Sequence, residues 1–168
     1  MSGKLEGKVA IVTGSGQGVG KGIAIFLARE GAKVITNNRK PGGASIEFYD
    51  KNAMPAEEWD EVVALKGDAE STAAIIKAEG GEATPFYGDV SDYETAGKLV
   101  QCAIDTYGRI DILVNNAAGL GHGPLINTTK EDWEYQTKAK MTGAFNTMVQ
   151  AAPHMVEQKF GRIINCSS

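Results

Sequence analysis

Apolar positions along this chain follow two alternating spacings. Short unbroken runs, beginning with Lys8-Val9-Ala10-Ile11-Val12, end in glycine or turn residues. Stretches with an apolar residue every three or four positions follow them. Unbroken runs bounded by turns predict strands buried on both faces, and the wider spacing predicts amphipathic helices. The pattern gives a strand over about 8–13, a helix over about 18–30 carrying Val19, Ile23, Phe26 and Leu27, and a second strand over about 33–37. Asp68 to Gly80 reads as a helix and Ala83-Thr84-Pro85-Phe86-Tyr87 as the third strand. The next helix has the strongest pattern. Ser91-Asp92-Tyr93-Glu94 has the form of a capping box, Ala96, Leu99, Val100, Ala103, Ile104 and Tyr107 repeat at helical spacing, and Gly108 stops it. Ile110 to Val114 predict a fourth strand. Thr128-Thr129-Lys130-Glu131 opens a long helix to about 157, with Met141, Ala144, Phe145, Met148, Val149, Ala152, Met155 and Val156 along one stripe.

One segment interrupts the alternation. Residues 40–66 open on Pro41-Gly42-Gly43 and are acidic, with Glu47, Asp50, Glu57, Glu58, Asp60 and Glu61. They predict an exposed insertion with a short helix around 56–64, and a dedicated binding element is the alternative.

The first strand-to-helix turn carries chemistry. Thr13-Gly14-Ser15-Gly16-Gln17-Gly18-Val19-Gly20 lets the backbone turn tightly and approach an anion, and the following helix offers its N-terminal N–H groups. This is where an alternating β/α chain holds a dinucleotide. Gly14, Gly18 and Gly20 are therefore assigned to a pyrophosphate turn, with backbone contacts from Gln17 and Val19.

The spacing Thr13-Gly14-x-x-x-Gly18-x-Gly20 resembles the short-chain dehydrogenase/reductase family. Gly88-Asp89-Val90, Asp111-Ile112-Leu113-Val114-Asn115-Asn116-Ala117-Ala118-Gly119 and Gly161-Arg162-Ile163-Ile164-Asn165-Cys166-Ser167-Ser168 are similar to later landmarks of that family, in the same order. The match to its Asn-Asn-Ala-Gly motif carries one extra alanine. The resemblance implies an α/β, Rossmann-type doubly wound parallel sheet of strand order 3-2-1-4-5 within a single NAD(P)-binding domain over 1–168. That sheet would lack the family's last strands.

Site roles follow from the same resemblance. Asp89 and Val90 would contact adenine, although Asp89 alternatively caps the turn before the helix at Ser91. Asn115, Asn116 and Ala117 would line the floor under ribose and nicotinamide and tie strands together. Ser168 matches the serine that polarises a substrate carbonyl. The family's Tyr-x-x-x-Lys would follow Ser168. Tyr107 and Tyr135 do not supply it upstream, because Asp111 and Ala139 stand four residues after them. The sequence thus looks like the cofactor-binding part of a reductase. Lys140 occupies the place of an asparagine that supports a water relay in many members, and for it a catalytic and a surface role stay open.

The end of the second strand, Thr36-Asn37-Asn38-Arg39, bears on the cofactor. NAD enzymes place an acidic residue there, whereas Asn38 is neutral and Arg39 and Lys40 are cationic. NADP(H) is expected, with NAD(H) as the alternative. Gln17 stands where NADP-preferring relatives often have Arg or Lys.

Composition adds exclusions. With 168 residues and 42% hydrophobic content the chain fills one core, and a net charge of −4 speaks against nucleic acid. No apolar run reaches the ~20 residues that span a bilayer, so no membrane partner is expected, and no secretory signal opens the chain. Cys102 and Cys166 read as buried thiols, which suits a reducing cytoplasm. His122 and His154 share no ligand spacing, so no metal is expected.

The function implied is NADP(H)-dependent interconversion of a small-molecule carbonyl and a secondary alcohol, in a homo-oligomer. Hydroxyacyl-CoA dehydrogenase domains of multifunctional β-oxidation proteins also lengthen the region after the second strand. They usually keep the acidic residue that is missing here, so an acyl thioester, a 3-oxoacyl carrier, a steroid-like ketone and a sugar stay open as substrates. The alternative is a non-catalytic nucleotide-binding module or an inactive truncated product.

Overall fold

The computed structural model describes residues 3–42, 52, 55–64 (backbone only for 61–64), 66–119 and 124–167. Its elements are β1 (Val9–Val12), α1 (Gly18–Arg29), β2 (Lys33–Asn38), α2 (Ala56–Ala64), α3 (Ala69–Ala78), β3 (Ala83–Tyr87), α4 (Tyr93–Tyr107), β4 (Ile112–Asn115), α5 (Lys130–Thr137), α6 (Gly143–Glu157) and β5 (Arg162–Asn165). The five strands form one parallel sheet in the order β3-β2-β1-β4-β5. β1 and β4 are buried at every position, which is why both read as unbroken apolar runs.

Helices cover both faces. On one, Ala24 and Ala28 of α1 and Ala73 and Ile76 of α3 pack on Ala10, Val12, Val34 and Val114. On the other, Leu99, Val100 and Ala103 of α4 and Ala151 and Met155 of α6 pack on Ile11, Ile35 and Leu113. Small residues on α1 let it lie close to the sheet. Asp111, just before β4, ties the base of the sheet together. Its buried carboxylate accepts from the Val9 N–H at 3.0 Å and from Arg109 in a two-pronged bond at 2.7 Å, with Lys8 Nζ at 3.6 Å.

Several expectations change in detail. The helix after β3 is capped by Asp92, whose side chain accepts from the Thr95 N–H at 2.8 Å, so the expected Ser91–Glu94 box does not form. The long helix is continuous but contains a π turn at Lys138–Thr142 between α5 and α6. Its single expected stripe splits: Met155 is buried and Ala144, Met148 and Ala152 are half-buried, whereas Met141, Phe145, Val149 and Val156 are exposed. Cys166 is exposed, and Cys102 is half-buried. The cause for Cys166 is that all four residues of β5, the edge strand it follows, are exposed. The helix expected at 56–64 forms as α2, while much of the acidic segment (43–51, 53–54 and 65) lies outside the described residues.

Candidate functional site: the glycine turn between β1, β2 and β4

The carboxyl ends of β1, β2 and β4 meet at the glycine turn, the sheet's switch point. Thr13 organises it. Its hydroxyl accepts from the Asn116 and Ala117 N–H groups, each at 3.0 Å, and donates to the Val114 carbonyl at 3.4 Å. The Asn116 side chain donates to the carbonyls of Thr13 at 3.2 Å and Gly14 at 3.1 Å, clasping the turn to β4. Ser15 fastens the other side: its hydroxyl accepts from the Asn37 N–H at 2.8 Å and its carbonyl accepts from the Thr72 hydroxyl at 2.9 Å.

Two glycines are required by this packing. Gly14 has φ +63°, and a Cβ there would come 2.9 Å from Ala117 Cα. A Cβ on Gly20 would overlap the Gly14 carbonyl oxygen and the Asn116 amide. The turn then delivers the chain into α1, whose N-cap Gln17 makes no side-chain cap and whose first turn holds no acidic residue. By contrast α3, α4 and α5 are capped by Asp68, Asp92 and Thr129 and carry acidic first turns. The N-terminus of α1 thus keeps its positive dipole end uncompensated by its own side chains. Val19 is 72% exposed at its mouth.

The remaining sequence-predicted residues divide. Asn115 reaches sideways: its amide donates to Asn165 Oδ1 at 2.8 Å and its oxygen accepts from the Thr147 hydroxyl at 2.6 Å, joining β4, β5 and α6. The Asp89 carboxylate accepts from the Ser91 N–H at 2.9 Å, the turn-capping role, and Val90 is buried with its carbonyl accepting from Asn146 at 3.1 Å. Lys140 is exposed in the middle of the π turn. Arg39 and Lys40 are exposed, and the Arg39 guanidinium donates to the Tyr135 hydroxyl at 3.3 Å. Ser168 and His122 lie outside the described residues.

Asn38 is the last residue of β2, and its Oδ1 is buried without a hydrogen-bond partner among the described residues. Beside it stands Asp68, which sequence reasoning read only as a helix start. Its Oδ1 accepts from the Ser71 N–H at 2.9 Å, and its Oδ2 accepts from the Tyr87 hydroxyl at 2.7 Å and the Gly42 N–H at 2.9 Å. The Ser71 N–H foremost, then the Gly42 N–H and the Tyr87 hydroxyl, outweigh burial and hold its carboxyl at about 2. Thr13 was also missed, and its signal was its place between a buried strand and the first glycine.

The turn, the clasp and the orphaned acceptor suit a nucleotide: a backbone cradle with no room for Cβ atoms, a helix N-terminus for a pyrophosphate, and an acceptor for a ribose hydroxyl. Comparisons with known proteins give the family. The short chain dehydrogenase family model matches residues 52–168. The peroxisomal hydratase-dehydrogenase-epimerase of Neurospora crassa is 36% identical over 98% of this chain and 16% of its own length. The 3-oxoacyl-acyl-carrier-protein reductase of Thermotoga maritima is 32% identical over 98% of this chain and 57% of its own. The crystal structure of a short chain dehydrogenase from Mycobacterium avium superposes with a TM-score of 0.78 at 34% identity, over 99% of this chain and 54% of that one. The chain therefore spans little more than half the length of the last two, and far less of the first. With matching sequence, topology and switch-point architecture, the chain belongs to the short-chain dehydrogenase/reductase family of oxidoreductases.

Proposed function

We propose that this chain binds a nicotinamide dinucleotide at the glycine turn and serves a carbonyl/secondary-alcohol oxidoreductase. The observation that carries the reading is the Thr13–Asn116 clasp, which holds a glycine turn open in front of an uncapped helix N-terminus. Gly14, Gly18 and Gly20 bring backbone N–H groups to the pyrophosphate, and Gln17 and Val19 contribute through their backbones. Asn38 Oδ1 accepts from the adenosine ribose, Asp89 and Val90 border the adenine, and Asn115, Asn116 and Ala117 form the floor beneath the nicotinamide half. The bound nicotinamide supplies two-electron transfer as hydride. Ser168 would donate a hydrogen bond to the substrate carbonyl, and Lys140 would hold a water near it.

The name of the Thermotoga relative points to a 3-oxoacyl group carried on acyl-carrier protein as the substrate class. Arg39 and Lys40 are the cations that a 2′-phosphate would meet at the end of β2, and both NADP(H) and NAD(H) are candidates for the site. The exposed row of Met141, Phe145, Val149 and Val156 supports a homo-oligomer packed along α6.

Titration of the full chain with NADH and NADPH, followed by nicotinamide fluorescence, tests the reading. Saturable binding of at least one is expected, and binding of neither overturns it. Redox turnover of a 3-oxoacyl thioester by the same chain would favour the enzyme, and binding without turnover the nucleotide-binding module.

A further inference from the structure

The side of the glycine turn that faces β2 is closed by residues from a different element. Asn38 and Tyr87 are register partners on β2 and β3. Asp68, returning from the acidic segment, packs between them and the turn: a Cβ on Gly16 would overlap Asn38 Oδ1 and come 2.6 Å from Asp68 Cα. The placement is rigid, because α3 is bolted down by the Thr36 hydroxyl to the Ala69 carbonyl at 2.7 Å and by the Thr72 hydroxyl to the Ser15 carbonyl.

Two chemical demands meet there. Asn38 Oδ1 has no donor among the described residues, and the 2′-hydroxyl of an NAD ribose would supply one where a 2′-phosphate dianion, itself only an acceptor, would not. The Asp68 carboxylate, held by the Tyr87 hydroxyl at 2.7 Å and the Gly42 N–H at 2.9 Å, is a fixed negative charge on the same side of the turn. The opposing cations are held less firmly: Arg39 is exposed and its guanidinium is turned toward Tyr135, with the ring centroid 5.8 Å away. We propose that Asp68 is a specificity-determining residue which, with Asn38, makes this chain take NAD(H) and reject the 2′-phosphate of NADP(H). The selecting carboxylate thus comes from the N-cap of α3 rather than from the end of β2, and the NADP(H) expectation drawn from Arg39 is reversed.

The inference rests on the proposed nucleotide site, and one set of titrations separates the two. Wild-type chain is titrated with NADH and NADPH at low and high salt, and again as Asp68→Asn, which keeps the capping oxygen and removes the charge. NADH binding at least about tenfold tighter than NADPH is expected, roughly 1.4 kcal/mol. The gap should narrow as salt screens the carboxylate, and narrow by about tenfold in D68N. Should D68N fail to fold, the wild-type salt dependence decides, since repulsion by Asp68 and attraction by Arg39 shift the ratio in opposite directions. Tighter NADPH binding in the wild type, or an unchanged ratio in folded D68N, overturns the inference alone. Binding of neither nucleotide overturns the site and the inference together.

Discussion

Gly20 and Gly22 lie in the same helix turn, yet their environments demand opposite outcomes. A Cβ on Gly22 meets nothing within 4 Å, whereas one on Gly20 strikes the Gly14 carbonyl and the Asn116 amide. Replacing glycine by alanine in a helix is favourable by about 0.5–1 kcal/mol where the space allows. Gly22→Ala should raise the free energy of urea unfolding by that amount. Gly20→Ala should lower it by about 1–3 kcal/mol, since the displaced amide leaves two carbonyls of the turn without a donor. Nucleotide affinity should fall with Gly20→Ala and stay near wild type with Gly22→Ala. Equal midpoints for the two variants would mean that the Asn116 clasp does not hold the turn.

Among the elements, β4 is secured most firmly at its base, where Asp111 joins β1 and β4 on its N-terminal side, away from the nucleotide turn. Burial opposes its ionisation, but Arg109, the Val9 N–H and Lys8 together keep its carboxyl below the usual range. Asp111→Ala would leave the buried Val9 N–H without its acceptor and Arg109 without its partner, a loss of about 3–5 kcal/mol. Equilibrium urea unfolding should show that loss, and a change under 1 kcal/mol would refute it. Such ties explain what was legible in the sequence. β1 and β4 are buried on both faces, so unbroken apolar runs marked them, and the crossovers then left little choice of strand order. The glycine turn was legible because close backbone approach leaves a trace in residue type. The π turn at Lys138–Thr142 was not, since one extra residue in a helical turn hardly disturbs a three-to-four spacing. Nor was the pairing of Asp68 with Tyr87, which depends on where a long segment returns rather than on any local pattern. Exposure of Cys166 was hidden for a related reason: an apolar strand reads the same at the edge of a sheet as at its centre.

At the scale of the whole molecule, the two carboxylates that lock these elements also set its response to acid. Asp68 holds α3 and the start of the acidic segment against β3 and the glycine turn, and Asp111 holds the opposite end of the sheet. Both have folded-state values below the ordinary aspartate value of about 3.9, that of Asp68 at about 2. A carboxylate depressed on folding stabilises the folded state in full above its unfolded value and gives that stability up as pH falls through its folded one. Stability against urea should therefore be level from about pH 7 to pH 5 and decline from about pH 4 toward pH 2. Asp68→Asn should flatten the part of that decline due to α3, because an amide has no proton to gain. The same variant leaves in place the contribution of Asp111, together with those of Glu79, Asp92 and Asp132, whose carboxyls are also held low. If the urea midpoint of the wild type held constant down to pH 2.5, or if D68N declined as steeply as the wild type, Asp68 would not be the acid-sensitive link between the acidic segment and the nucleotide turn. Where the decline does flatten, the charge inferred to reject a 2′-phosphate is also one that holds the turn's outer wall in place. Nucleotide choice and acid stability would then change together in a single substitution.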